Sequence, residues 1–200
     1  MEEKKILRQH IRGLFAKLST EDLEQKSHEL SKRLQRFLST LSSPPYFLSN
    51  DFIFGAYAPM SDEAQWHVGF PLQKSVQDTF SDRTCFPAMD GEYMRFYQCA
   101  YNDLELRKDF FFPILCPPKE CPQVEPPVLL IPGRAFSMSG QRLGRGKAYY
   151  DNYLRDYKGI KIGICLEMQL VSEVPVCDHD CPVDFVVTEF RLIDATKQHK

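Results

Sequence analysis

The feature that most constrains the fold is an alternation of strand, loop, helix and strand in the C-terminal half of the chain. Val128–Ile131 is a short, wholly apolar run of the kind that forms a buried strand. A loop rich in glycine, GQRLGRGKAYYD from Gly140 to Asp151, follows it. Residues 148–157 place tyrosines and a leucine at helical spacing, and a second apolar run follows at 160–166. This spacing predicts a parallel βαβ unit, and therefore an α/β fold with a mainly parallel central sheet flanked by helices.

The N-terminal part of the chain predicts a helical hairpin packed on that sheet. Apolar residues recur every three or four positions from Ile6 to Leu18 and again from Leu23 to Leu41, which is the period of an amphipathic helix. Ser19 is a typical helix N-cap, because acids fill the first turn after it. The pair Pro44-Pro45 is expected to end the second helix.

Between these regions the chain alternates short apolar runs with turns. The runs of strand composition lie at 52–57, 84–86, 94–97 and, near the C-terminus, 185–188. Residues 62–80 are a weak helix candidate, because a glycine and a proline interrupt them. Residues 113–127 contain six prolines and are expected to form an extended connector. Since this connector is too short to separate two domains, we expect residues 1–200 to form a single domain.

Composition and charge exclude several classes of protein. The formal net charge of −2 argues against a protein built to wrap nucleic acid. The N-terminus is charged from its second residue, unlike a secretory signal, and no apolar run approaches the ~18 residues of a membrane span. We therefore expect a cytoplasmic protein in which the seven cysteines are reduced thiols. The CDHDC segment at 177–181 lacks the CxxC spacing of a zinc site.

The glycine loop has the properties of an anion site, although it matches neither common phosphate loop. Gln141 and Ala148 stand where a Walker A loop needs a glycine and a hydroxyl, and Tyr149 stands where a dinucleotide fingerprint needs its third glycine. Backbone N–H groups before a helix, together with cationic side chains, bind phosphates, and a carboxylate such as Asp151 binds Mg²⁺ beside them. The cationic residues of the region are Arg134, Arg142, Arg145 and Lys147. A solvated turn with arginines pointing at water is the alternative.

The segment PGRAFSMSGQRLGRGKAYYD, from Pro132 to Asp151, resembles the central pattern PGxxFDxxGxRLGxGxGYYD of the 5-formyltetrahydrofolate cyclo-ligase family. The resemblance extends to Lys4 and Arg8 near the N-terminus and to Glu63 after the first predicted strand. Further matches follow the loop, at Ile162-Gly163, Val174-Pro175, Asp180 and Val183-Asp184. Residues 66–125 are only loosely similar.

The resemblance implies an enzyme that uses ATP and Mg²⁺ to close the ring of 5-formyltetrahydrofolate, giving 5,10-methenyltetrahydrofolate, ADP and phosphate. It implies catalytic roles for Arg145 and Lys147. The residues implied in ATP binding are Lys4, Arg8, Arg142, Leu143, Gly144, Arg145, Gly146, Lys147, Ala148, Tyr149 and Tyr150. Those implied in substrate binding are Glu63, Arg145, Gly146, Lys147 and Tyr149, and those implied in metal binding are Asp151 and Asp180. We expect a monomer whose partner is the folate substrate, with no nucleic acid and no membrane.

Purely structural interpretations stand beside these roles. An exposed i,i+4 pair would account for Lys4 and Arg8, a solvated acid for Glu63, and core packing for Tyr149 or Tyr150.

Three residues depart from the family pattern. Ser137 replaces an aspartate, Trp66 replaces a small residue, and Ala148 replaces a glycine, adding a Cβ where a positive φ would strain it. The alternative to an active enzyme is therefore a catalytically impaired folate- or nucleotide-binding protein on the same fold. An RNA-binding relative is disfavoured, because the sequence has no RNP-type aromatic strand and no overall basic charge.

Overall fold

The computed structural model describes residues 2–41, 52–68, 83–90, 93–107 and 113–197. The α-helices in these residues are α1 (Glu2–Phe15), α2 (Thr20–Thr40) and α3 (Tyr149–Leu154). The side chain of Ser19 accepts a hydrogen bond of 3.0 Å from the backbone N–H of Asp22, so the predicted N-cap is confirmed. The prolines expected to end α2 lie outside the described residues. No helix in the described ranges is both long and apolar enough to cross a membrane.

The strands form one large mixed sheet and two small sheets. They are β1 (Phe54–Gly55), β2 (Thr84–Asp90), β3 (Tyr93–Gln98), β4 (Glu105–Arg107), β5 (Ile114–Cys116), β6 (Gln123–Val124), β7 (Val128–Pro132), β8 (Ala135–Ser137), β9 (Arg142–Leu143), β10 (Ile160–Ile164), β11 (Leu170–Val171), β12 (Phe185–Val187) and β13 (Leu192–Asp194). Among the described residues the large sheet has the strand order β13-β12-β10-β7-β1-β2-β3-β6. The predicted βαβ unit is confirmed, since β7 and β10 are parallel neighbours and α3 lies between them in the chain.

The strand order creates a cleft at one end of the large sheet. The adjacent strands β12, β10, β7, β1 and β2 are all parallel. The strand β1 comes first in the chain but lies between β2 and β7 in the sheet. From β1 the chain continues to β2 on one side, whereas from β7 it continues to β10 and β12 on the other side, so the direction of the connections reverses between β1 and β7. Ligands of doubly wound sheets bind outside the carboxyl ends of the strands at such a reversal. The glycine loop follows β7 and the segment carrying Glu63 follows β1, so both leave the sheet at this cleft.

Helices cover both faces of the sheet, as predicted. Side chains alternate along a strand, so Val128 and Leu130 of β7 pack in one buried cluster with residues of α1 and α2. Leu129 and Ile131 pack in the second cluster, together with Leu154 of α3. These four β7 side chains are completely buried. The strand that leads into the glycine loop is therefore held from both sides.

Several element boundaries differ from the sequence prediction. The first strand is shorter than the predicted 52–57, because only Phe54 and Gly55 pair with the neighbouring strands. Residues 62–68 lie in turns and irregular structure, and the rest of the 62–80 helix candidate lies outside the described residues. The strands predicted at 84–86 and 94–97 are confirmed as the antiparallel pair β2 and β3. The proline-rich connector contributes β5 and the edge strand β6, since an edge tolerates neighbouring prolines.

Candidate functional site

A hairpin that the sequence analysis missed leads into the glycine loop. Strand β8, which precedes the loop, pairs with β9 at the start of the loop, and β11 joins β8 to complete a three-stranded sheet. Strands of two or three residues are too short to leave a periodic pattern in the sequence. The loop is therefore a folded unit that is anchored on the cleft.

Ser137 builds the turn of this hairpin. Its carbonyl accepts a hydrogen bond of 3.0 Å from the N–H of Gly140, and its N–H donates to the carbonyl of Gln141 at 3.0 Å. Its Oγ accepts a further hydrogen bond of 3.1 Å from the N–H of Gln141. An aspartate offers the same kind of side-chain acceptor in a turn. The departure from the family pattern at Ser137 is therefore explained by a structural role that both residues can fill.

The backbone between β9 and α3 is left-handed at two positions. Gly146 has a φ of 100°, and Ala148 has a φ of 56° and a ψ of 11°. The positive φ at Ala148 confirms the expected strain, which costs an L-residue roughly 1–2 kcal/mol. At Gly144 the constraint is different, because a Cβ there would lie 3.0 Å from Nη1 of Arg142 and the guanidinium would have to shift. The loop thus passes closely over the guanidinium of Arg142 before it turns into α3.

Helix α1 reaches the site through two cationic residues one turn apart. Nε of Arg8 donates a hydrogen bond of 2.8 Å to the carbonyl of Gly144. Lys4 forms an ion pair with Asp180, and only 12% of its side chain is exposed. Burial lowers the pKa of Lys4, but its contact with Asp180 outweighs that effect and leaves the pKa above its usual value. The interpretation of Lys4 and Arg8 as an exposed surface pair is therefore wrong.

Two adjacent acids after β1 hold Arg145 of the glycine loop and Arg134, which precedes the loop. Nε of Arg145 donates to Oε1 of Glu63 at 2.8 Å, and its Nη2 pairs with Asp62. Nη1 of Arg134 lies 2.6 Å from Oδ2 of Asp62. Burial raises the pKa of Asp62, but the hydrogen bonds from Arg145 and Arg134 leave that pKa below its ordinary value. Glu63 is only 7% exposed, so its interpretation as a solvated acid is wrong.

Arg142 and Asp151 form a buried ion pair beneath the loop. Nη2 of Arg142 donates to Oδ1 of Asp151 at 2.7 Å, and Arg142 is only 4% exposed. The guanidinium also lies 5.6 Å from the ring centre of Tyr150, within the range of a cation–π contact. The alternative of a solvated turn is therefore wrong for this arginine, and Tyr150 packs against the core as one of the two tyrosines was expected to do.

Two buried polar atoms of the site have no partner among the described residues. They are Nε of Arg142 and the hydroxyl oxygen of Tyr150. Burial raises the pKa of Tyr150 well above its usual value, and the nearby charge of Glu63 raises it further. The hydroxyl is therefore protonated at neutral pH and can donate a hydrogen bond. Buried polar groups are nearly always satisfied in native proteins, so such a pair of atoms needs an explanation.

Of the remaining predicted residues, some are exposed at the outer edge of the site and one is buried in the core. Lys147 is exposed, and no ion pair or hydrogen bond holds its ammonium group within the described ranges. Tyr149 is 46% exposed, whereas Leu143 is buried. Lys147 and Tyr149 therefore stand where an incoming ligand can meet them, and Leu143 serves the core.

The two acids predicted to bind metal lie in neighbouring segments. The thiol of Cys181 donates to the carbonyl of Asp151 at 3.6 Å, which places the chain beside Asp180 next to the start of α3. Asp151 uses Oδ1 for Arg142, and Asp180 uses Oδ2 for Lys4 and for the N–H of Cys177. Among the described residues no three His, Cys, Asp or Glu side chains group together as a metal cage. The assignment of Asp151 and Asp180 to magnesium therefore stays a prediction.

Trp66 organises the segment that carries the two acids. Its Nε1 donates to the carbonyl of Tyr57 at 2.7 Å, its own carbonyl accepts a hydrogen bond from Ser31 of α2, and it is fully buried. The third departure from the family pattern is therefore a core residue.

The sequence analysis missed Asp62, although two adjacent acids soon after a buried strand were a signal for it.

The sequence profile of the 5-formyltetrahydrofolate cyclo-ligase family matches residues 90–189, which is half of the chain. The chain belongs to this family. The match contains the glycine loop and Asp180, whereas Lys4, Arg8 and Glu63 lie outside it. The membership of these three residues in the site depends on the contacts described above.

Individual relatives agree with the family. The 5-formyltetrahydrofolate cyclo-ligases of Mus musculus and Escherichia coli K12 are 37% and 42% identical over 68 residues. These alignments cover 31% and 32% of this chain but only 34% and 37% of the relatives. The matched segment therefore spans about a third of the length of these curated relatives.

Solved structures resemble the fold over nearly the whole chain. The NMR structure of Aquifex aeolicus 5,10-methenyltetrahydrofolate synthetase superposes with a TM-score of 0.74 at 27% identity, and covers 96% of this chain and 92% of its own. The Mycoplasma pneumoniae 5,10-methenyltetrahydrofolate synthetase has a TM-score of 0.66 at 20% identity, and covers 94% and 99% of the two chains. At that identity the second likeness supports the fold alone.

Proposed function

We propose that this chain catalyses the ring closure of 5-formyltetrahydrofolate to 5,10-methenyltetrahydrofolate, with ATP converted to ADP and phosphate. The names of the curated relatives give the substrate, and the name of the Aquifex aeolicus protein gives the product. In this reaction the formyl oxygen on N5 attacks the γ-phosphate, N10 captures the phosphorylated carbon, and phosphate leaves. The proposed enzyme is a cytoplasmic, single-domain monomer without a nucleic-acid or membrane partner.

The observation that carries the proposal is the meeting of two distant chain segments on the glycine loop. Helix α1 contributes Arg8, which contacts Gly144, and the segment after β1 contributes Glu63, which contacts Arg145. Within the loop, its last residue Asp151 pairs with Arg142. Phosphoryl transfer to a second substrate requires two reactants held in line and negative charge neutralised, with little proton transfer. A cationic loop between parts of the chain that can each hold one reactant fits that requirement.

The charge balance of the site favours an anionic ligand. Its acidic side chains are Asp62, Glu63, Asp151 and Asp180, and its cationic side chains are Lys4, Arg8, Arg134, Arg142, Arg145 and Lys147. The cations therefore exceed the acids even after every acid is paired. In the proposed enzyme Lys147 and Arg145 bind the phosphates, and Arg145 exchanges its contacts with Asp62 and Glu63 for contacts with the ligands. Glu63 is then released to accept a hydrogen bond from the folate.

The unsatisfied atoms at the base of the site add a second argument. Nε of Arg142 and the hydroxyl of Tyr150 are both donors, and both are buried. A ligand with acceptor oxygens would satisfy them, and phosphate oxygens are strong acceptors for arginine. We propose that this pair of donors binds a ligand that enters the cleft over the glycine loop.

Asp151 and Asp180 have the chemistry that a magnesium site requires. Mg²⁺ is commonly bound through one or two carboxylates, with phosphates and water completing its shell, so two acids without a protein cage are sufficient. When bound, the ion would neutralise charge on the phosphates. The replacement Asp151→Asn is expected to shift the magnesium titration of activity to higher concentration. An unchanged titration would remove Asp151 from the metal site.

The test of the proposed function is a spectroscopic assay. The long-wavelength absorbance of 5,10-methenyltetrahydrofolate should grow when the protein, 5-formyltetrahydrofolate, ATP and Mg²⁺ are mixed, and should not grow when ATP or Mg²⁺ is omitted. Lys147→Ala should lower turnover by about 10²-fold, the effect of losing one aimed cationic donor, with no change in melting temperature because Lys147 has no partner within the described ranges. Lys158→Ala removes an equally exposed lysine beyond α3 and is the matched control.

A flat absorbance trace from folded protein would overturn the proposed catalysis. Isothermal titration with 5-formyltetrahydrofolate and with ATP would then test the alternative of a binding protein that has lost activity. The turn role of Ser137 removes one motive for that alternative, and the strained Ala148 is the motive that remains. In that case Ala148→Gly is the first replacement to restore activity.

A further inference from the structure

The pairing of β3 with β6 continues to the last residue of β3 and to the residue before β6. Tyr97 lies opposite Gln123 in the antiparallel register. One position further along, the N–H of Gln98 donates a hydrogen bond of 2.9 Å to the carbonyl of Pro122. The register at this edge of the large sheet is therefore maintained up to the last residue of β3.

The next pair in this register consists of two cysteines, Cys99 and Cys121, whose thiols lie close enough to influence each other's pKa. Since Gln98 and Pro122 occupy a hydrogen-bonded position, the cysteines occupy the following non-hydrogen-bonded position. In such a position the two Cα atoms lie about 4.5 Å apart and the side chains are close. Disulfides span Cα separations of roughly 4.4–6.8 Å, so the register suits a cross-strand bridge.

The backbone around both cysteines is held by hydrogen bonds. The N–H of Cys99 donates to the carbonyl of Thr84 at 3.2 Å, and Oγ1 of Thr84 donates to the carbonyl of Cys99 at 2.8 Å. The N–H of Cys121 donates to the carbonyl of Pro118 at 3.3 Å. The bridge could therefore form by rotation of two side chains, without movement of the sheet.

We propose that Cys99 and Cys121 are a thiol modification site that closes to a reversible disulfide and locks β6 onto β3. The oxidant is a small-molecule disulfide. The thiolate of Cys121 attacks one of its sulfurs, forms a mixed disulfide and releases one thiol. The thiol of Cys99 then loses its proton, attacks Sγ of Cys121 and releases the second thiol. Two electrons pass from the protein to the oxidant, and the protein loses two hydrogen atoms.

The surroundings of the pair determine the rate and the preferred oxidant. Burial raises the pKa of Cys99 to about 12. Burial also raises the pKa of Cys121, although the nearby thiol of Cys99 opposes the rise. Only the thiolate reacts, so the rate should rise about tenfold per pH unit while both thiols are protonated. Asp103, Glu105 and Glu120 lie near the pair, so cationic cystamine should react faster than anionic oxidised glutathione.

The experiment treats the full chain with cystamine at mildly alkaline pH, traps the remaining thiols and maps disulfides by mass spectrometry without reduction. The expected product contains a bridge between the peptides of Cys99 and Cys121. A bridge that closes a loop of about 20 residues should raise the melting temperature by roughly 5–10 °C, and a thiol reductant should reverse the rise. Cys177→Ser, which removes an exposed cysteine elsewhere, should leave both results unchanged.

Three results would overturn the proposal. One is a bridge between other cysteines, another is a mixed disulfide that persists on Cys99 or Cys121, and the third is an equal rise in melting temperature in Cys121→Ser. If Cys121→Ser does not fold, Cys99→Ser serves as the same test. A faster reaction with oxidised glutathione than with cystamine would refute the role assigned to the acidic surroundings.

Discussion

Replacing Tyr150 by phenylalanine is expected to stabilise the folded protein and to weaken ligand binding at the same time. The change removes one hydroxyl oxygen, which is buried and has no partner among the described residues. The aromatic ring stays, and with it the contact at 5.6 Å with the guanidinium of Arg142. Stability rises while affinity falls, because the unpaired hydroxyl destabilises the ligand-free protein but donates a hydrogen bond to the ligand.

The magnitude follows from the cost of the unsatisfied group. A buried hydroxyl without a partner destabilises a protein by about 1–3 kcal/mol. At roughly 2–4 °C per kcal/mol for a chain of this size, Tyr150→Phe should raise the melting temperature by about 2–12 °C. Loss of a hydrogen bond to a charged ligand should weaken affinity by about 1.5–3 kcal/mol, or roughly tenfold to a hundredfold.

Tyr57 provides a matched control in the same structure. Its hydroxyl is also buried, but it donates to the carbonyl of Ala64 at 3.1 Å. Tyr57→Phe removes this hydrogen bond, although the carbonyl keeps the one from the N–H of Trp66 at 3.1 Å. Loss of one such bond costs about 0.5–1.5 kcal/mol and should lower the melting temperature by roughly 1–6 °C. Scanning calorimetry of the two variants, with isothermal titration of ATP and of 5-formyltetrahydrofolate, measures both effects.

The sign of the change decides whether the reasoning is right. Equal destabilisation by Tyr150→Phe and Tyr57→Phe would mean that the Tyr150 hydroxyl has a partner in solution. A stabilised Tyr150→Phe protein that binds both ligands with unchanged affinity would mean that the hydroxyl is unsatisfied but faces no ligand. Either result refutes the role proposed for this group.

Three further predictions concern the ion pair, the strained turn and a partly buried histidine. Asp151→Ala leaves the charge of Arg142 buried without its counter-ion and should cost about 3–5 kcal/mol, seen as a fall in the chemical denaturation midpoint. Ala148→Gly should raise stability by up to about 1 kcal/mol by relieving the positive φ, whereas Ala100→Gly, at a φ of −75°, should lose about 0.4–1 kcal/mol. Burial lowers the pKa of His67, so its contribution to stability is complete above its unfolded-state pKa of about 6.5 and is lost as the pH falls towards the folded-state pKa. His67→Phe should flatten the melting temperature between pH 7 and 5, and an unchanged slope would contradict this assignment.

The reach of sequence analysis is clearest in the elements that depend on near neighbours. The cap at Ser19, the buried strand after residue 127 and the positive φ of Ala148 were all expected and all confirmed. Each depends on interactions within a few residues or on one alternating pattern. The hairpin of β8 and β9 was missed for the same reason, since its strands are too short to carry a pattern of their own.

The ion pairs of the site could not be predicted from the sequence. Read along the chain, residues 134–150 contain four cations and no acid before Asp151, which suggested a strongly positive patch. In the folded protein Arg145 contacts Glu63, which is 82 positions away in the chain. Arg134 pairs with Asp62, the residue next to Glu63. Pairing of this kind depends on which loops lie side by side and leaves no trace in local composition.

The sequence by itself therefore determined the α/β class, the helical hairpin, the family resemblance and the set of residues available for chemistry. The tertiary structure decided which of those residues meet. Arg8 contacts a carbonyl 136 positions later in the chain, because α1 packs beside the small sheet that contains β8. Glu63 reaches Arg145 because the sheet places β1 next to β7, so that both carboxyl ends open into one cleft. Strand order is a property of the whole sheet, set by the burial of both its faces, and no local pattern encodes it.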